Sequence, residues 1–124
     1  MFQIVYEQLS EWPENGPLVI EAPAINTEIL VSPDSARRRV NRYLSTYVSM
    51  TTYAADPILN INDKRSCWRL SIHMRLPEIG HVATLGVIDI DAMTCEIIPL
   101  SNERIRSIQD QANDIIARLT PEAA

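Results

Sequence analysis

Few side chains in this sequence can do chemistry near neutral pH. His73 and His81 are its two histidines, and imidazole is the one side chain whose ordinary titration lies near physiological pH. His73 stands two residues from Arg75 and four from Arg69, so on an extended strand the three share a face. There the imidazole suits a base, a ligand or an anion contact. No carboxylate or nucleophile is fixed beside His73 by spacing, and the expected role is a basic docking surface. Asp89 and Asp91 are also two apart. They suit a divalent cation in principle, but an ion pair of Asp89 with Arg69 and a turn shaped by Asp91 are the expected uses. Cys67 and Cys95 lie at no diagnostic distance from a histidine and read as small packing residues, with no zinc spacing. Three glycines build no phosphate-cradling loop, no dinucleotide or triphosphate signature occurs, and no serine sits in a nucleophile elbow. The expectation is a chain with neither catalysis nor a cofactor.

The elements that position these residues follow from pattern. Ser32-Pro33-Asp34 is a helix start, with a capping hydroxyl, proline at the first helical position and an acid at the positive end of the dipole. The helix is expected to run to about Met50, with Ala36, Val40, Tyr43, Leu44, Tyr47 and Val48 as its apolar stripe and Arg38 and Arg42 pointing away. Residues 53–66 carry Pro57 and a polar run, which predicts a loop. Residues 67–76 alternate Trp68, Leu70, Ile72, Met74 and Leu76 with polar partners, the period-two pattern of a half-buried strand. A turn at 77–81 leads to a second strand at 82–90, and Asp91 to Thr94 turns into a third at 95–100. Ser101 caps a last helix with a stripe at Ile105, Ile108, Ala112, Ile115, Ile116 and Leu119, an Asp114–Arg118 pair, and a stop at Pro121. Upstream, residues 1–12 fit helix or strand equally, and Pro23 divides two short β-like pieces at 18–21 and 28–31. Together these predict one α+β domain over 1–124: a two-layer fold, its antiparallel sheet covered by helices on one face, with an acidic segment at 1–31 ahead of a body at 32–120.

A symmetrical five-residue turn sets a register with Trp68 opposite Ile90, Leu70 opposite Ile88 and Ile72 opposite Gly86. The core face then collects Trp68, Leu70, Ile72, Met74, Ile88, Ile90, Cys95 and Ile97. The second face holds Arg69 opposite Asp89, Ser71 opposite Val87, His73 opposite Leu85 and Arg75 opposite Ala83. It is half apolar and half basic, which predicts a cover: the acidic N-terminal segment with Trp12, Leu18, Ile20, Ile29 and Val31, a second copy of the chain, or another protein. The same register puts Cys67 and Cys95 on opposite faces, against a disulfide between them.

The net charge of −5 hides a division along the chain. Residues 1–35 hold six acids and no base, 36–75 hold eight bases and two acids, and 76–124 hold eight acids and three bases. A basic middle between acidic ends either neutralises itself or awaits an acidic partner. Arg37, Arg38, Arg39 and Arg42 with Lys64, Arg65, Arg69 and Arg75 also suit phosphate contacts, so an accessory role on nucleic acid is the second reading. A pI near 4.9 opposes it, as does the expectation of no stacking aromatic on the basic sheet face. At 124 residues with 46% hydrophobic content the chain suits one globular domain. No apolar run suits a membrane span and the first residues are unlike a signal peptide, so a cytoplasmic setting is expected.

The helix at 36–47, the strand opening on Trp68-Arg69-Leu70, and the hairpin run from Gly86 to Ile97 with its Asp91-Ala92-Met93-Thr94 turn together resemble the PepSY-type module and similar small domains among bacterial-toxin immunity proteins. In that family the hairpin reads Val-Asp-x-x-Thr-Gly-Glu-Val, with aspartate and threonine shaping the turn and glycine left-handed. This chain has Cys95 where that glycine stands. The resemblance implies a fold for residues 36–100 and a non-catalytic, partner-binding role as an inhibitor or regulator. The expected function is therefore protein binding, immunity-like, inhibitor-like or as an assembly subunit, through Arg38, Arg42, Arg69, His73, Arg75, Leu85 and Val87.

Overall fold

The computed structural model of the chain describes residues 2–5, 18–22, 25–61 and 65–119, with side chains from 29 onward. Trp12 and the C-terminal Pro121 lie outside the described residues. The element order is β1 (Phe2–Val5), β2 (Leu18–Ala22), β3 (Ile25–Ile29), α1 (Pro33–Tyr47), β4 (Thr52–Ile61), β5 (Ser66–Leu76), β6 (Gly80–Asp91) and α2 (Asn102–Leu119). Four strands form one antiparallel sheet in the order β1-β4-β5-β6, and β2 and β3 pair with each other in a second, two-stranded sheet. The architecture is α+β, as the alternation and the two helical stripes predict.

The helix start reads as its residues dictate. The Ser32 hydroxyl accepts the Ser35 amide at 3.1 Å and Pro33 opens the first turn. Ala36, Val40 and Leu44 are buried inward, and Asn41 accepts the Ala54 amide at 2.7 Å. That bond closes part of β4 which β1 does not reach, because β1 pairs only with 58–61. The helix ends at Tyr47 rather than near Met50, and Tyr47 turns outward at 61% exposure instead of joining the stripe. In α2 the Ser101 hydroxyl accepts the Arg104 amide, and Asp114 and Arg118 pair at 3.1 Å, four residues apart as expected.

The core face of the sheet holds Trp68, Leu70, Ile72, Met74, Ile88 and Ile90, all buried, with Leu59 and Ala54 of β4 beside them. Cys95 and Ile97 are partly buried against this cluster. Ile29 and Val31 belong to the same core and are not a cover for the second face. The Trp68 indole donates to the Val31 carbonyl at 2.7 Å, and the Leu30 and Val31 amides both donate to the Ala92 carbonyl, which ties the chain after β3 to the Trp68 side.

Two segments differ from the sequence reading. Within residues 53–66, expected as loop, the chain forms most of the strand β4 (Thr52–Ile61), and 95–100, expected as strand, makes only the isolated bridge Ile90↔Ile97 before its Leu100 amide turns to the Tyr43 hydroxyl. The turn between β6 and that bridge is closed by Asp91, whose carboxylate accepts the Met93 and Thr94 amides at 2.7 and 3.0 Å. Cys95, at the position where the resembled hairpin carries glycine, has φ +65.

Candidate functional site: the second face of the sheet

Register decides what this face carries. From Trp68↔Ile90 to Ile72↔Gly86 the pairing is the expected one, but bulges between Ile72 and His73 and between Met74 and Arg75 change the rest. His73 pairs with Thr84, not Leu85, and Arg75 pairs with His81, not Ala83. The turn is shorter than the expected five residues, because Gly80 already pairs with Leu76. Pro77 and Glu78 occupy its centre, Glu78 at φ +71, and the Ile79 amide donates to Leu76. The first inserted residue flips the side chains that follow it and the second flips them back. Leu85 therefore goes into the core at 5% exposure and is unavailable to a partner, while His81 joins the second face.

Strand β4 adds what the sequence reading lacked. Tyr53 pairs with His73, and the two rings meet edge to face at 5.4 Å. The Arg75 guanidinium lies over the Tyr53 ring, 4.4 Å from its centroid, a cation–π contact. His73 and His81 are 4.4 Å apart ring to ring, and the Tyr53 hydroxyl meets His81 Nδ1 at 3.4 Å. A carboxylate does stand beside His73: Asp56 Oδ2 is 3.6 Å from Nε2. Asp56 occupies the bulge of β4 at φ +52, a left-handed conformation that aspartate tolerates better than most residues. Thus the basic face carries an aromatic ring under Arg75, and His73 has an acid beside it, against expectation on both counts.

At the other end of the face Arg69 and Asp89 pair as predicted, through two hydrogen bonds at 2.8 and 3.0 Å. Those hydrogen bonds, and then the charge of Asp89, raise the Arg69 pKa. Arg69 is thereby committed within the fold. Val87 is 44% exposed between the two ends. Asn60, opposite Cys67 in the β4–β5 ladder, is buried with neither its amide nitrogen nor its oxygen hydrogen-bonded, a local cost of roughly 1–3 kcal/mol.

Cys67 and Cys95 are both free thiols. Burial pushes the Cys67 thiol up, the charges of Asp89 and Asp91 add to the shift, and Arg65 and Arg69 oppose it. A thiol held protonated in the fold contributes stability that is fully present below its unfolded value of about 8.5, and that stability is lost as pH rises toward the folded value. Urea unfolding followed from neutral pH upward should show stability falling above about pH 8.5, with a shallower fall in Cys67→Ala. Parallel curves for the two proteins would remove Cys67 as the cause.

Arg38 and Arg42 do not join this face. They lie on the outward side of α1, whose inward stripe packs on the core, so the helix and the sheet separate them from His73 and Arg75. Arg38 ion-pairs with Asp34 at 3.3 Å. Arg39 of α1 borders an open groove of about 570 Å³ walled by Tyr43, Tyr47, Ile97, Leu100 and Ile105.

The sheet face holds Arg69, His73, Arg75 and Val87 from the sequence-predicted set, with Arg69 engaged by Asp89, adds Tyr53 and His81, and excludes Leu85, Arg38 and Arg42. Among the described residues no group of histidine, cysteine and acidic side chains is arranged to hold a metal, and no helix is long and apolar enough to cross a membrane. No family model matches the sequence, and neither the curated proteins nor the solved structures give a match.

Proposed function

We propose that this chain is a non-catalytic module that binds another protein through the second face of its sheet, acting as an immunity-like or inhibitor-like domain or as a subunit of an assembly. The observation that carries this reading is the grouping of Tyr53, Arg75 and His81 around His73, with Val87 exposed on the same sheet surface. Aromatic and arginine side chains are the residues that dominate binding energy at protein interfaces. The hairpin resemblance to partner-binding modules supports the same class. Free thiols at Cys67 and Cys95 fit a reducing, cytoplasmic setting.

The test is affinity capture from the native host with the wild-type chain and with Tyr53→Ala and Val87→Asp, each checked for folding by circular dichroism. The reading expects one protein retained by the wild type and lost by both variants. Equal retention by all three would overturn the assignment of this face, and self-association in sedimentation, lost in the same variants, would make the partner a second copy.

A second reading has one specific observation in its favour. Tyr53 under Arg75 on an open sheet is a stacking platform of the kind that holds unpaired bases. Binding of single-stranded RNA or DNA that falls steeply with salt and is lost in Tyr53→Ala would favour nucleic acid over protein.

A further inference from the structure

Four polar side chains at the turn end of the second face come from two alternate rungs of the sheet, Tyr53↔His73 and Arg75↔His81. We propose that they form a seat for a phosphate monoester carried on a segment of the partner protein, an inference that rests on the protein-docking reading above. Arg75 and His81 carry the least committed donors of the four. Arg75 is exposed and makes no ion pair with any described carboxylate and no side-chain hydrogen bond with any described residue, so its contact with the Tyr53 ring leaves N–H groups to offer. His81 is exposed, and its 3.4 Å contact with the Tyr53 hydroxyl is long enough to exchange readily for an anionic oxygen. His73 is 16% exposed and is braced by Tyr53, His81 and Asp56, so its ring is held in place without being fully covered.

A fork of N–H groups, two imidazoles and a phenol offer more donors than one carboxylate accepts. A phosphomonoester presents three oxygens and close to two charges, which suits that number. A phosphodiester backbone suits it less, having one charge per unit and a polyanionic field that a chain of net charge −5 repels. One carboxylate opposes the anion, Asp56, and it is 74% exposed at the edge of the cluster beside His73. Its charge weakens the seat for any anion, so its removal strengthens binding.

The test uses the full chain, labelled for NMR, titrated with a phosphoserine peptide flanked by alanines, with its serine and glutamate twins, and with inorganic phosphate. The phosphopeptide is expected to shift Tyr53, His73, Arg75 and His81 selectively and to bind at least about fivefold more tightly than the glutamate twin. Arg75→Gln should weaken it about tenfold, while Asp56→Asn, which leaves the left-handed backbone position well served, should strengthen it about threefold. Both residues are exposed, so neither change threatens folding. Absence of selective shifts, equal binding of the serine twin, or an unchanged affinity in Arg75→Gln would overturn the seat. Inorganic phosphate binding as tightly as the peptide would overturn the assignment to a partner segment. Phosphatase treatment of the host lysate separates this inference from the docking reading. Capture abolished by phosphatase supports it, whereas capture that survives phosphatase but is lost in Tyr53→Ala removes the phosphate and leaves protein docking standing.

Discussion

Trp68→Ala should lower the free energy of unfolding by about 3–5 kcal/mol. Trp68 has no exposed surface, and it sits between Leu59 of β4 and Ile90 of β6, both also without exposure. Its removal leaves a large cavity in the middle of the sheet's core face. It also leaves the Val31 carbonyl without the indole donor, so the segment that carries Ile29 and Val31 into the core loses one of its tethers. The midpoint of thermal unfolding should fall on the order of 15 °C. Trp68→Phe separates the two effects, because it keeps most of the volume while losing the hydrogen bond, and should cost less than the alanine change. A loss below about 1 kcal/mol for alanine would place the core elsewhere.

Helix starts and the alternating strand were legible because each rests on local chemistry. Ser32-Pro33 and Ser101 cap their helices through their own hydroxyls, and residues 68–76 carry a period that only a strand with one buried face explains. Strand β4 was hidden by Asp56-Pro57, a pair that ordinarily breaks a strand. The fold keeps the strand by bulging it there: the ladder skips from Ala55 to Ile58, so proline's missing N–H falls where no ladder bond is needed. The error at 95–100 has the opposite origin. Ile97 and Ile98 look like strand residues, and Ile97 does bridge to Ile90, but the chain leaves the sheet when Leu100 turns to the Tyr43 hydroxyl and Pro99 interrupts the donors.

The candidate site was half legible for the same reasons. His73 and Arg75 follow from alternation alone, and the Arg69–Asp89 pair follows from a register that holds as far as Ile72. Period-two arithmetic has no means of finding an inserted residue, so the bulges past Ile72 moved Leu85 inward and brought His81 onto the face. Tyr53 was missed because its strand was missed. The short turn had one readable signal: Pro77 followed two residues later by Ile79-Gly80, with Gly80 at φ +85, suits a tighter connection than a symmetrical five-residue loop. Arg38 and Arg42 were rightly placed on the outward side of α1. What sequence does not state is that the layer order puts that side away from the sheet's second face.

Ile108→Ala should cost about 2–4 kcal/mol and should act on α2 before the sheet. Only Ile108 and Ala112 are buried along α2; Ile105, Ile115 and Ile116 are partly covered, and Leu119 is exposed. A side-chain tether helps, since the Gln109 amide donates to the Val48 carbonyl at 2.9 Å at the end of α1. By contrast α1 buries Pro33, Ala36, Val40 and Leu44 and bonds to β4 through Asn41. An element held along so narrow a stripe opens at lower free energy than the core it covers. Hydrogen exchange on Ile108→Ala should therefore show the amides of 102–119 accelerating well beyond those of β5, whereas Leu44→Ala should accelerate both together. Equal acceleration of α2 and β5 in Ile108→Ala would show instead that the last helix and the sheet unfold as a single cooperative unit.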